Sequence, residues 1–161
     1  MGQSQLISLD LVDERHCRAA AARLALAVLA QLPDDRAFVI HLSGALGVGK
    51  TTFARGFLEQ AGVSGRIRSP TYTLVETYDA SGKEFMHVDL YRVSGTDEAE
   101  GLGLREYDRG GVVWLIEWPE RVAGIASPDV RVCLSHAGPG RRLCLLAETS
   151  AGAAVIPSVE V

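Results

Sequence analysis

The sequence of 161 residues contains no asparagine and only three cysteines. Cys17, Cys133 and Cys144 form no C-x-x-C pair and have no histidine at ligand spacing, which argues against a disulfide framework and a zinc site. We therefore expect free, buried thiols. No apolar run approaches the roughly 18 residues that a membrane-spanning helix needs, and no basic segment followed by an apolar one begins the chain. We expect a soluble, cytoplasmic protein without a membrane role.

Acidic residues outnumber basic ones, which gives a net charge of -4, and lysine is scarce, with only two of the sixteen basic residues. Proteins that bind a phosphate backbone usually carry a basic surface, so the balance argues against a dedicated nucleic-acid surface. Pairs such as Arg66/Arg68 and Arg105/Arg109 are left as local contact points. The length is that of a single domain, which we place at residues 1–161.

The most informative segment is Gly44 to Thr51, GALGVGKT, which matches the phosphate-binding pattern G-x-x-x-x-G-K-[ST] without substitution. Residues 38–42 predict a buried parallel strand before it, and residues 52–60 predict a helix after it. Glycines allow the backbone to turn its N–H groups toward phosphate oxygens. The start of the helix attracts anions, Lys50 can reach the β- and γ-phosphates, and the Thr51 hydroxyl can bind Mg²⁺.

Hydrophobic patterns along the rest of the chain predict an α/β domain of the P-loop NTPase class. We expect three layers, α/β/α, around a mixed, partly antiparallel central sheet. The predicted strands are 6–9, 38–42, 71–78, 84–91, 112–116, 130–136 and 142–147. The predicted helices are 52–60 and one that has residues 13 and 14 in its first turn and runs to about residue 31, with a weak helical pattern at 98–104. The polar loop 62–70 is a candidate switch, and residues 150–161 are expected to form a loosely ordered tail.

Two strand-like runs lead directly to an acid, residues 85–88 to Asp89 and residues 112–116 to Glu117. Ligands of open α/β sheets bind outside the carboxyl ends of the strands, so both acids are expected to face the phosphate loop. There they can help to hold a divalent ion, the alternative for each being a solvated acid at the end of a strand. His87 shares a face with Asp89, and we expect a core or edge histidine rather than a catalytic one. His16, His41 and His136 are expected to be structural.

Four segments of the chain together resemble the bacterial TsaE (YjeE) family. They are GALGVGKTT at 44–52, SPTYTLVETY at 69–78, HVDLYR at 87–92 and IEWPE at 116–120. The resemblance covers residues 6 to 148, and HVDLYR with IEWPE is far more specific than the phosphate loop. It implies a protein that binds ATP, hydrolyses it slowly and is required for threonylcarbamoyladenosine modification of tRNA. The implied partners are the subunits TsaD, which performs the transfer, and TsaB, and tRNA is contacted mainly through them.

The resemblance also implies roles for individual residues, with ATP and Mg²⁺ as cofactors. The implied catalytic residues are Lys50, Asp89 and Glu117, and the implied metal ligands are Thr51, Glu117 and Asp89. The implied nucleotide contacts are Gly44, Gly47, Val48, Gly49, Lys50, Thr51, Thr52, Arg141 and, through a looser match, Glu14. Ser69, Pro70 and Thr71 form the implied switch, and Trp118 lies near the site. Family members often carry an acid where this chain has Ala45, so a role of that acid is absent or relocated here.

Two alternative functions stay open at this point. A small-molecule P-loop kinase has a similar length and the same loop, but it usually presents several arginines on mobile segments. Residues 94–110, with Arg105 and Arg109, fit that poorly. In the second alternative, ATP binding only orders a surface on which a partner docks. A GTPase is disfavoured because guanine selection normally uses an N-K-x-D segment, and the chain has no asparagine.

Overall fold

The computed structural model describes residues 5–160. Within that range the strands are β1 (Leu6–Leu11), β2 (Phe38–Ser43), β3 (Val75–Ala80), β4 (Lys83–Asp89), β5 (Val112–Glu117), β6 (Val130–Ala137) and β7 (Gly140–Ala147). The α-helices are α1 (Glu14–Leu29), α2 (Lys50–Gln60), α3 (Thr96–Glu100) and α4 (Ser150–Val155). Short 3₁₀ helices cover Leu104–Tyr107, Pro119–Arg121 and Ile156–Val159. None of the described helices is both long enough and apolar enough to cross a membrane.

The strands of the described chain form one sheet in the order β1-β7-β6-β2-β5-β4-β3. The four central strands, β6, β2, β5 and β4, run parallel, and the antiparallel pairs β6/β7, β7/β1 and β4/β3 complete the two sides. The predicted α/β fold with a mixed, partly antiparallel sheet is confirmed. Strands β2 and β5 are buried almost throughout, as their continuous apolar runs predict for central parallel strands.

Helices cover the two faces of the sheet unequally. The larger core joins α1, α2 and the C-terminal helices to one face, where Phe53 and Phe57 of α2 are fully buried with Ile40 and Leu42 of β2. The smaller core lies on the other face, beneath α3 and the 3₁₀ helix that starts at Leu104. This packing places the start of α2 at the carboxyl ends of the parallel strands.

The N-terminus of α1 is stabilised by a side-chain cap. Asp13 Oδ1 accepts the backbone N–H of His16 at 3.1 Å, as expected of an aspartate at this position. The hydrogen bond with the His16 side chain, whose Nδ1 lies 2.8 Å from Oδ1, lowers the pKa of Asp13 most, and the His16 backbone N–H and Arg15 act in the same direction. The helix therefore begins at Glu14, with Asp13 as its cap rather than in its first turn, and it ends at Leu29, two residues before the predicted end.

The predicted strand 71–78 is too long at its N-terminal end. Residues 71–74 form a turn in which the Leu74 N–H donates to the Pro70 carbonyl at 2.8 Å, and β3 begins at Val75. Leu74 has a φ of 66°, in the left-handed region that a continuing strand cannot use. The β-branched residues Thr71 and Thr73 favour a strand, but the hydrogen bond from Leu74 to Pro70 encloses them in a turn.

The prediction of a loosely ordered tail is wrong for residues 150–160, and Val161 lies outside the described residues. Thr149 caps α4 by accepting the Gly152 N–H at 3.1 Å, and Val155, Ile156 and Val159 are fully buried. Gly152 lies so close to the Asp129 carbonyl that an added Cβ would come within 2.0 Å of its oxygen. The small residues of the tail are what allow it to pack closely against the domain.

The prediction of buried thiols is correct for Cys17 and wrong for Cys133. Cys17 is buried, whereas Cys133 is exposed and Cys144 is half-buried. Cys133 and Cys144 lie opposite each other on β6 and β7, and their side chains are on the more exposed face of these two strands. The apolar character of cysteine suggested burial, but it does not show which face of a strand other elements cover.

Candidate nucleotide and metal site

The loop between β2 and α2 curls through backbone angles that favour glycine. Gly44, Gly47 and Gly49 have φ values of 146°, 75° and 121°. A Cβ added at Gly44 would also lie 2.4 Å from the Leu134 carbonyl oxygen. The glycines of the G-x-x-x-x-G-K-T pattern are therefore required by the local geometry, and α2 begins directly after them at Lys50.

Lys50 is folded back on its own loop. Its Nζ donates to the carbonyl oxygens of Gly44 at 2.5 Å and Ala45 at 2.9 Å, and lies 4.1 Å from the centroid of the Trp118 ring. Burial lowers the pKa of Lys50, and the charges of Glu117, Glu120 and Asp89 partly oppose that shift. The ammonium group is therefore held at the loop by contacts that an incoming phosphate oxygen can replace.

A hydrogen-bonded triad joins α2 to the sheet. The Thr51 hydroxyl donates to the Glu117 carboxylate, at 3.0 Å from Oε1 and 3.2 Å from Oε2. On the other side of the carboxylate, His87 Nε2 lies 2.6 Å from Oε2. Glu117 is 2% exposed, so these two side chains satisfy a carboxylate that would be costly to bury alone.

The two strand-end acids are neighbours across the parallel pair β4 and β5, where Asp89 and Glu117 stand in register. Asp89 is 6% exposed, and its Oδ1 accepts the Tyr91 N–H at 2.9 Å. Burial raises the pKa of Asp89, the Tyr91 hydrogen bond opposes this, and the charge of Glu117 adds to the increase. Asp89 is thus the acid at this edge that neither Thr51 nor His87 binds.

One cavity of about 390 Å³ collects the central residues of the predicted site. Its lining includes Gly47, Gly49, Lys50, Thr51, Thr52, Thr71, Asp89, Glu117 and Trp118. The Ser69 hydroxyl lies 2.9 Å from that of Thr71, and Pro70 is buried beside them, so the predicted switch segment borders the cavity. The fold therefore brings together residues from four separate segments of the chain.

Four predicted nucleotide contacts do not line this cavity. Gly44 and Val48 belong to the loop itself, and Val48 is buried, whereas Arg141 and Glu14 lie elsewhere. Arg141 Nε donates to the Val48 carbonyl at 3.0 Å, so it supports the loop from the side of β7. Glu14, in the first turn of α1, pairs with Arg18 instead of facing the phosphate loop. Arg141 also lines a second, open cavity of about 530 Å³ between the end of β1 and the turn 138–140.

The donor set of the first cavity fits Mg²⁺. The Thr51 hydroxyl and the carboxylates of Glu117 and Asp89 offer the oxygen ligands that this ion prefers, with room for water and phosphate oxygens. In residues 5–160, no group of three or more histidine, cysteine, aspartate or glutamate side chains could hold a metal by itself. The arrangement therefore suits an ion that arrives with a phosphate ligand and retains water.

Sequence reasoning missed the contact between His87 and Glu117, and it placed Trp118 near the site without Tyr91, its aromatic neighbour beside the cavity. The rings of Tyr91 and Trp118 lie 4.8 Å apart, and the Arg121 guanidinium lies 5.0 Å from the Tyr91 ring centroid. Tyr91 belongs to the HVDLYR segment and Trp118 to IEWPE. The position of His87 two residues before Asp89 was the available signal, because alternate residues of a strand share a face.

The mixed α/β sheet, with the phosphate-loop sequence between a central parallel strand and a helix, defines the protein as one of the P-loop NTPase fold class. A family model described as threonylcarbamoyl adenosine biosynthesis protein TsaE matches residues 12–143. The chain belongs to the TsaE family.

Individual relatives agree with this assignment. The chain is 40% identical over 130 residues to the tRNA threonylcarbamoyladenosine biosynthesis protein TsaE of Haemophilus influenzae, covering 80% of this chain and 82% of that protein. It is 37% identical over 105 residues to the Bacillus subtilis protein of the same name, covering 65% of each. The crystal structure of Bacillus subtilis YdiB superposes with a TM-score of 0.76 at 25% identity, covering 99% of this chain and 97% of that one.

Proposed function

We propose that this protein binds ATP with Mg²⁺, hydrolyses it slowly and thereby supports threonylcarbamoyladenosine modification of tRNA together with TsaD and TsaB. The relatives named for this pathway support the biological role. The observation that carries the chemistry is the convergence of Lys50, Thr51, Asp89 and Glu117 on one cavity beside the glycine loop. The transfer of the threonylcarbamoyl group is assigned to TsaD, and tRNA is contacted mainly through the partners.

Binding begins with the exchange of contacts that the loop already makes. Lys50 leaves the carbonyl oxygens of Gly44 and Ala45 for phosphate oxygens, and the backbone N–H groups at the start of α2 bind the same anion. Thr51 and Glu117 would hold the metal, with Asp89 beside them. Mg²⁺, when bound, neutralises negative charge on the phosphates.

Asp89 is the side chain best placed to orient an attacking water. Its carboxylate lies at the cavity wall next to Glu117, and it is not hydrogen-bonded to Thr51 or His87. Hydrolysis then depends on positioning and on charge stabilisation by Lys50 rather than on a covalent intermediate. We expect slow turnover by the isolated protein, because a partner can supply a group that completes the site.

The kinase alternative finds little support in the residues that would form its acceptor site. Arg105 pairs with Glu100, and Arg109 pairs with Glu84. Residues 94–110 form α3 and a 3₁₀ helix over the smaller core, and Leu104 is buried there. These arginines serve local ion pairs on a segment that lies outside the lining of the phosphate cavity.

The two lysines of the chain provide a matched test of nucleotide binding. Lys50→Ala removes the ammonium at the loop, whereas Lys83→Ala removes one from the start of β4, outside the cavity lining. We expect calorimetric titration with Mg-ATP to give binding to the wild type and Lys83→Ala, and none to Lys50→Ala. Absence of heat with the folded wild type, or equal binding by both variants, would overturn the assignment of the site.

The biological role needs its own experiment. We expect TsaD and TsaB to be retained by the immobilised protein in an ATP-dependent manner. Complementation of a deletion strain, with the modified nucleoside measured in its tRNA, should succeed with Lys83→Ala and fail with Lys50→Ala. Normal modification with Lys50→Ala would refute the requirement for ATP, even if the purified wild type binds it.

A further inference from the structure

We propose that His87 is a positioning residue that sets the rotation of the Glu117 carboxylate and so determines the affinity of the site for Mg²⁺. The inference rests on the proposed function, because it concerns the metal that the function assigns to Thr51 and Glu117. It adds a residue that does not itself touch the metal or the nucleotide.

The contact between His87 and Glu117 is short, buried and directional. His87 is 0% exposed and its Nε2 lies 2.6 Å from Glu117 Oε2. A carboxylate oxygen accepts, so the imidazole carries a proton on Nε2 and donates it. The other ring nitrogen, Nδ1, has no hydrogen-bond partner among residues 5–160. The Glu117 bond is therefore the one polar contact of this side chain within the described structure.

The sheet register keeps this bond at a fixed position. His87 stands opposite Leu115 on the parallel strand β5, two residues before the Asp89 and Glu117 pair. Its face of β4 is the one that carries Phe85 into the larger core, below α2. The ring thus approaches the carboxylate from inside the protein, whereas Thr51 approaches it from the helix.

The two oxygens of the Glu117 carboxylate therefore have different hydrogen-bond partners. Oε2 is bound by His87 and also lies 3.2 Å from the Thr51 hydroxyl, whereas Oε1 has the Thr51 hydroxyl alone, at 3.0 Å. The terminal torsion of a glutamate is broad, so removal of His87 leaves its rotation restrained only by the Thr51 hydroxyl, which lies within hydrogen-bond distance of both oxygens and does not select between them. Side chains that hold a metal ligand in this way typically change metal affinity by about 10- to 100-fold when they are removed.

A purely structural role for His87 makes a different prediction. A buried ring that only fills space would affect the stability of the fold and the binding of nucleotide with and without metal alike. A positioning role affects the part of nucleotide affinity that depends on Mg²⁺. The comparison of ATP binding in Mg²⁺ with ATP binding in EDTA therefore separates the two.

The variants His87→Gln and His87→Asn test the geometry with matched chemistry. Both introduce an amide, but the Gln Nε2 reaches as far as the imidazole Nε2, and the shorter Asn does not. We expect His87→Gln to keep the gain in ATP affinity from Mg²⁺ within a few-fold of the wild type. We expect His87→Asn and His87→Leu to reduce the Mg²⁺-dependent gain in ATP affinity by about 10- to 100-fold, with ATP affinity in EDTA almost unchanged.

His41→Leu is the control for loss of a buried histidine. His41 lies on β2, is 5% exposed and has both ring nitrogens without a partner among the described residues, but it lines a different cavity. We expect it to leave the effect of Mg²⁺ at the wild-type value. In a Glu117→Gln background, His87→Asn should cause no further loss, because the carboxylate it acts through is gone.

The outcomes separate this inference from the proposed function. Wild type that does not bind ATP in either buffer refutes the proposed function itself. Wild type that responds to Mg²⁺, together with folded His87→Gln and His87→Asn variants that respond equally, overturns the role of His87 alone. If His87→Leu does not fold, the Gln and Asn pair decides, and their unfolding temperatures show that both are native.

Discussion

The C-terminal helices offer a sharp test of the structure. The composition of residues 150–161 predicts a loosely ordered tail, whereas the structure packs α4 and the following 3₁₀ helix against the domain. Ile156 is fully buried where the 3₁₀ helix packs against α1, and the neighbouring Arg23 Nε donates to the Val159 carbonyl at 3.1 Å. Ile156→Ala would leave a cavity in the larger core. Substitutions of this kind destabilise proteins by about 2–5 kcal/mol. For a domain of this size, that corresponds to a decrease of about 4–20 °C in the unfolding temperature.

The assay is thermal and urea unfolding followed by circular dichroism. Ser158→Ala, which lies in the same 3₁₀ helix but is exposed, is the matched control and should change the free energy of unfolding by less than about 0.5 kcal/mol. An Ile156→Ala variant as stable as Ser158→Ala would show that the tail is loosely docked, and the packing argument would fail.

Three further predictions follow from the site and its surroundings. Glu117→Ala should abolish metal-dependent ATP hydrolysis, measured by phosphate release; if tRNA modification in cells nevertheless stays normal, ATP serves docking alone. Gly44→Ala should abolish Mg-ATP binding in calorimetry, because its Cβ would lie 2.4 Å from the Leu134 carbonyl oxygen and displace the loop; undiminished affinity contradicts the geometry. Burial lowers the pKa of His41 to about 4, so the folded protein binds fewer protons than the unfolded one below about pH 6.5. Stability should therefore decrease as the pH falls from about 6.5 to 4, by up to about 3 kcal/mol from this group, and His41→Leu should flatten that part of the urea-unfolding profile.

The predictions that agreed with the structure came from local patterns. The continuous apolar runs of β2 and β5 predicted central parallel strands, and both are buried between parallel neighbours. The acids that end β4 and β5 were predicted to face the loop, and Asp89 and Glu117 both line the cavity beside it. Each prediction used residues adjacent in the chain, where strand geometry leaves few alternatives.

The predictions that failed depended on distant contacts. Nothing in residues 150–160 indicates that Gly152 will pack against Asp129, or that Thr149 will donate a hydrogen bond to its carboxylate. Asp129 also holds Arg36 through two hydrogen bonds at 2.8 and 2.9 Å. Such contacts exist only after β6 has taken its place beside β2.

Residue types and their immediate neighbours were enough to identify the parts of the candidate site: a glycine loop, one lysine, one threonine and two strand-end acids. The contact of His87 with Glu117, 30 residues away, and the place of Lys50 over the ring of Trp118 exist only in the assembled fold. The first follows from the register of β4 against β5, and the second from the packing of α2 beside the end of β5. Local periodicity gives the face of a strand but not its partner, and the order of strands in the sheet determines which polar groups meet.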